Sequence, residues 1–150
     1  MVTGRDRVIG RDRERGANLV EFALIAPLLI MLVMGIIDFG WILSTQQDVR
    51  HGAREAARLA AVNTDTTANM ATLVCTAMNV SSGAVVTFNR GGGAVGNSGS
   101  IVLVAPVASL SGFSKLPFAG ALYPTTFTET VAFRLEQPAS KWANGSGTCP

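Results

Sequence analysis

Hydrophobic and polar positions divide the chain into three textures, and the first is a long apolar run. From Phe22 to Ile37 the sequence reads FALIAPLLIMLVMGII without a charge, and after Asp38 the apolar character resumes with Phe39, Trp41, Ile42 and Leu43. Counted from Val20 to Trp41, about 22 residues at a rise of 1.5 Å cover roughly 33 Å, against about 30 Å of hydrocarbon in a bilayer. The pattern predicts a transmembrane helix, with Trp41 as its anchor at the outer interface. A fully buried helix of a soluble domain competes, but too little chain remains to surround it. Pro27 removes one backbone hydrogen bond inside the run and is expected to bend the axis, which membrane helices tolerate. Asp38 has two readings, a functional charge within the membrane or, more simply, the mark of the water boundary.

The second texture has helical periodicity with a narrower apolar stripe. In STQQDVRHGAREAARLAAV, Val49, Ala53, Ala56, Ala57 and Ala60 share one side, while Arg50, Arg54, Glu55 and Arg58 fall elsewhere. This predicts an amphipathic extension of the membrane helix, with a small alanine face that lets another element approach closely. A second helix is expected over Thr66 to Asn79, with Met70, Leu73, Val74, Ala77 and Met78 filling a core.

Beyond Ser81 the period becomes that of strands, expected at Ala84 to Phe88, Ile101 to Ala108 and Thr125 to Glu136. The last alternates well, placing Phe127, Glu129, Val131, Phe133 and Leu135 on one parity. One antiparallel sheet of about three strands packed on the helices is the economical solution, so the expected class is α+β. RGGGAVGNSGS, Arg90 to Ser100, lacks the lysine and hydroxyl residue that end a phosphate loop and reads as a flexible hairpin connection. Ser109 to Pro124 reads as a loop packed over the sheet, with a partner surface there as an alternative. The glycine-rich stretch from Pro138 to Pro150 reads as a loose tail unless Cys149 pins it.

Composition sharpens this picture at three points. A mean hydropathy of +0.35 with only 15% charged residues is unusual for a soluble globule and fits a membrane segment. The net charge of +2 is supplied by the arm before the helix, where Arg5, Arg7, Arg11, Arg13 and Arg15 face Asp6, Asp12 and Glu14. Those arginines favour a cytoplasmic N-terminus and a translocated C-terminal domain. A cleaved secretory signal would share the basic arm, but the apolar run is too long and no small-x-small site follows it. A neutral outer domain lacks the basic face that nucleic-acid binding needs. With His51 as the one histidine, no catalytic triad or histidine-based metal site can be assembled, and His51 reads as a surface residue. Cys75 and Cys149 show no metal spacing. Outside the cytoplasm they are candidates for a disulfide, the alternative being a buried and an exposed free thiol.

The junction between arm and helix carries the candidate function. Gly16 follows the basic arm, and Glu21, the one acidic residue between Gly16 and Asp38, stands five positions later beside Phe22. A peptidase at the inner membrane face can approach a backbone closely at glycine, so a cut after Gly16 would make Ala17 the new N-terminus. A carboxylate at the membrane boundary is costly unless paired. Glu21 therefore either meets the α-amino group of a neighbouring copy in an assembled bundle and sets its register, or lies solvated among the headgroups.

Gly, four residues, then Glu-Phe opening an apolar helix resembles the processing site of type IVb prepilins. The longer run RGANLVEFALIAPLLIMLVMGIIDFGWILSTQQDVRHGAREAARLAA, Arg15 to Ala61, resembles the TadE-like family of Tad (tight adherence) pilus systems. The resemblance implies a type IV pilin-like layout and a minor pilin or pseudopilin, a component of a pilus or secretion system serving adhesion, without catalysis, cofactor or small-molecule substrate. Implied partners are the bacterial inner membrane, other pilins and pseudopilins, the Tad inner-membrane platform and a prepilin peptidase. By carry-over Gly16 and Ala17 flank the cleavage site, and Glu21 and Phe22 are recognition and assembly positions. The expected organisation is a leader over 1–16, a transmembrane helix over 17–43, an extracytoplasmic domain over 44–137 and a tail over 138–150. Two other classes compete: a membrane-tethered binding or scaffold protein that uses the helix only as an anchor, and an enzyme, for which no convergent polar groups are found.

Overall fold

The apolar run and the amphipathic extension form one helix. In the computed structural model, which describes residues 6–79, 82–115 and 120–150, α1 spans Asp6–Ala61 and continues through Pro27. Its two halves meet different surroundings. From Leu19 to Leu43 most large side chains are exposed, Leu24 at 75% and Phe22 at 69%. From Val49 onward the predicted stripe is buried, with Val49, Ala53, Ala56, Ala57 and Ala60 at 6% exposure or less. Alanines at these sites bring the helix axis close to its neighbours, and Gly52 continues the effect, because a Cβ there would lie 2.3 Å from Met78 Sδ.

A turn at Asn63, whose φ is +51°, reverses the chain into α2, Thr67–Ala77. Thr66 caps α2 by accepting the Asn69 amide at 3.3 Å, satisfying one of the unpaired donors of the first turn. The buried stripe of α2 is Met70, Ala71, Val74, Cys75 and then Met78. Leu73 and Ala77, expected inside, point outward, Leu73 being 48% exposed. Helical spacing permitted either set; α2 is turned toward the sheet by Ala71 and Cys75, whose partners lie near the C-terminus.

The sheet has four strands rather than three: β1 Val85–Asn89, β2 Ser98–Pro106, β3 Thr126–Arg134 and β4 Gly145–Thr148. Their order is β3-β2-β1-β4, and every neighbouring pair is antiparallel. Val86, Phe88, Ile101, Leu103 and Ala105 are buried on the face toward the helices, with Phe127, Val131 and Phe133 packed against them. A one-residue slip of register would turn this set to solvent, so the alternation fixes the pairing. Among these, fully burying Val86, Phe88, Ile101 or Leu103 contributes about 1.5–3 kcal/mol each. Gly99 pairs with Phe133, whose ring lies over the glycine where a Cβ would approach Cζ to 2.4 Å.

The segment from Pro138 to Pro150, expected as a loose tail, is built into the domain. Cys149 is bonded to Cys75 across a sequence separation of 74, and β4 pairs with β1. Trp142 is buried at 3% exposure against Phe88 and Phe133, with ring centroids 6.2 Å away in each case. Asn63 holds Ser140 and the Lys141 amide, both at 3.1 Å, and the Arg90 guanidinium donates to the carbonyls of Ala139 and Trp142. The connection between β1 and β2 is likewise bonded, its Gly93 carbonyl accepting the Ala139 amide at 2.9 Å. Positive φ at Gly91, Gly93 and Gly96 explains the glycines there.

Candidate functional site

Gly16, Ala17, Glu21 and Phe22 all lie on α1, in its uncovered half. A Cβ at Gly16 would meet nothing within 4 Å beyond its chain neighbours and the backbone of its own helix turn, so the glycine lies open to a visiting protein. Ala17 and Glu21 are separated by four residues, which puts them on the same helix face about 6 Å apart along the axis. From Glu21 the exposed apolar surface continues to Leu43, interrupted by Asp38, which is buried at 2% exposure. By length and composition this helix is long and apolar enough to cross a membrane; its most apolar window has a mean hydropathy of 2.6 and none of it is buried in the protein.

Asp38 does not simply face water. Ser109 Oγ and Ser111 Oγ donate to its Oδ2, each at 2.8 Å, and the Ser111 amide donates to its Oδ1 at 2.9 Å. These donors come from the loop between β2 and β3, expected to lie over the sheet and instead fastened to α1. The base of that loop is closed by the Val107 amide on the Thr125 carbonyl at 2.9 Å. Tyr123 adds a bond from its hydroxyl to the Ala108 carbonyl at 3.1 Å. Burial pushes the Tyr123 phenol above its ordinary value, and the Asp38 charge adds to that shift. Leu116 and Phe118, which the sequence also placed in this loop, lie outside the described residues.

Higher on α1 the polar groups serve packing and solvation. Arg58 Nη2 lies 2.6 Å from Glu55 Oε1, and this hydrogen bond, helped by the cation's charge, holds the Glu55 carboxyl below the usual range. Arg50 reaches Glu129 of β3 at 3.8 Å. Asp48 accepts from Asn79 at 3.4 Å, and His51 beside them is exposed. An open groove of about 630 Å³ between α2 and β4 is lined by Ala68, Thr72, Thr76, Ser146 and Thr148 among others, and no charged side chain lines it. Among the described residues no cluster of His, Cys, Asp or Glu is placed to hold a metal ion.

The uncovered apolar half, opening at Gly16 and passing without a break into the alanine face, is the part of this chain with a counterpart among known families. Residues 16–58 match the family model of the TadE-like protein. The match begins at the glycine of the junction and ends at Arg58, so it takes in the exposed half of α1 and most of its buried extension. The resemblance read from the residues is thereby shown for this segment, which takes in less than a third of the chain. No curated protein and no solved structure matches the chain. Sequence reasoning singled out Asp38 but missed Ser109 and Ser111. Their only local signal is a pair of hydroxyls in SLSG, and nothing in the order of residues ties them to a carboxylate some seventy positions earlier.

Proposed function

We propose that this protein is a non-catalytic minor pilin or pseudopilin-like component of Tad pilus biogenesis, processed after Gly16 by a prepilin peptidase. Its N-terminal arm lies in the cytoplasm, α1 crosses the inner membrane, and the α+β domain faces outward. The observation that carries this reading is the TadE-like match over residues 16–58, on a helix whose apolar half is left uncovered by its own chain. Such a surface suits lipid and, during assembly, the helices of other pilins held at the Tad inner-membrane platform. Glu21 supports it further: an exposed carboxylate one turn from Ala17 is placed to meet the α-amino group of a neighbouring copy once the arm is removed.

The test is the mature mass and N-terminal sequence of the protein extracted from the membranes of its own cells, beside Gly16→Ala and Glu21→Ala variants. Processing gives a chain beginning at Ala17 in the unaltered protein and an intact arm in Gly16→Ala. Glu21→Ala is expected to impair processing or assembly. A chain beginning at Met1 throughout, with pilus assembly unaffected by Glu21→Ala, overturns the proposal and leaves α1 as a plain anchor.

A further inference from the structure

The position of Asp38 along α1 is at odds with a simple water boundary. If Glu21 stands at the inner edge of the hydrocarbon, seventeen residues of helix carry Asp38 about 25 Å outward, short of the roughly 30 Å the hydrocarbon occupies. Trp41, the residue suited to the interface, lies nearly one turn farther out. A carboxylate at the depth of Asp38 is expensive unless its lone pairs are taken by donors. The structure supplies them from two loop hydroxyls and one loop amide, and buries the carboxylate against them. To make those bonds the loop must descend alongside the helix to the level of Ile36, Ile37 and Phe39, which are 64%, 48% and 61% exposed. Between the two serines stands Leu110, 62% exposed and turned away from the domain core.

From this geometry we infer that the Ser109–Ser111 loop is a foot seated in the lipid leaflet nearest the domain, with Leu110 among the acyl chains and Asp38 as its polar seat. The occupant of the surface around Leu110 is phospholipid, because that surface is continuous with the apolar face of α1. The foot gives the domain a second attachment to the membrane and fixes its orientation on the helix. This inference rests on α1 crossing a bilayer, and the experiment separates the two.

The full chain, with its disulfide intact, is reconstituted in vesicles of phosphatidylethanolamine and phosphatidylglycerol after labelling an added cysteine with an environment-sensitive fluorophore. Labels replace Leu110, Val33 as a reference inside the span, or Ala94 as a reference in the β1–β2 connection. Quenching by spin-labelled lipid is compared with quenching by aqueous iodide. The expected result is lipid quenching at Leu110 and Val33, iodide quenching at Ala94, and a several-fold gain in iodide quenching at Leu110 when Asp38→Ala or Ser109→Ala/Ser111→Ala is added. Lipid quenching at Val33 with iodide quenching at Leu110 overturns the foot and keeps the span. Iodide quenching at Val33 overturns both. Shielding of Leu110 from both quenchers, increasing with protein density, assigns the surface to a second copy and overturns lipid as its occupant. Lipid quenching at Leu110 that survives both sets of variants overturns the role of Asp38.

Discussion

At the residue scale, the side chain least visible in the sequence is the one whose loss is expected to matter most. Trp142 lies in a segment of glycine, serine and alanine with no periodicity to flag it, yet it is buried at 3% exposure between Phe88 and Phe133. Its ring covers the end of the sheet where β1 and β2 are joined. Its indole N–H has no hydrogen-bond partner among the described residues, so the ring contributes through area and edge contacts. Trp142→Phe keeps most of that area and removes no hydrogen bond, so its cost should stay below about 1.5 kcal/mol. Trp142→Ala should cost about 3–5 kcal/mol through lost burial and the cavity left behind. Guanidinium denaturation of the detergent-solubilised chain, followed by sheet circular dichroism, separates the two. Equal losses would mean that the indole nitrogen has a function these contacts do not show. Asp38 is the opposite case: a lone acid in an apolar run announces itself, but its partners are supplied by folding alone.

At the scale of elements, what was legible depended on how each one is buried. The long helix and its alanine stripe, the second helix and three strands are written as runs of one period, because each puts one face into the core. β4 is not, since GSGT has no apolar alternation to detect. Its signal is smallness: a Cβ at Gly147 would come within 2.3 Å of the Ala71 Cβ, so α2 and β4 meet across two nearly bare backbones. Such contact offers little hydrophobic burial, and the Cys75–Cys149 bond adds a covalent tie at the end of the strand to its ladder with β1. In the chain-entropy account, closing a loop of this length stabilises by at most about 4.5 kcal/mol. Replacing both cysteines by serine should lower the denaturation midpoint and raise amide exchange in β4 and at Trp142 before β2 and β3 are affected. Unchanged exchange in β4 would show that its pairing with β1 is sufficient without the bond.

At the scale of the whole molecule, α1 has two unlike halves, one apolar and uncovered and one packed into the domain, and the domain's boundary must therefore be drawn inside a helix. The stripe Val49, Ala53, Ala56, Ala57, Leu59 and Ala60 forms one wall of the core, and α2 and the inner face of the sheet pack directly against it. A fragment starting at Val62 keeps every strand and α2 but exposes that inner face. It should show no cooperative unfolding and no fixed near-ultraviolet signal from Trp142. A fragment starting at Ser44 keeps the wall and drops the exposed apolar half. It should fold, form the Cys75–Cys149 bond and melt in a single transition, while the loop around Ser109 and Ser111, deprived of Asp38, exchanges its amides faster than in the full chain. Folding of the shorter fragment would mean that the alanine stripe is a docking face for another protein rather than part of the core. Failure of the longer one would mean that the uncovered half, through Asp38, is needed to complete the domain, since among the described residues that carboxylate is the one buried group before Ser44 that the domain's own residues hold.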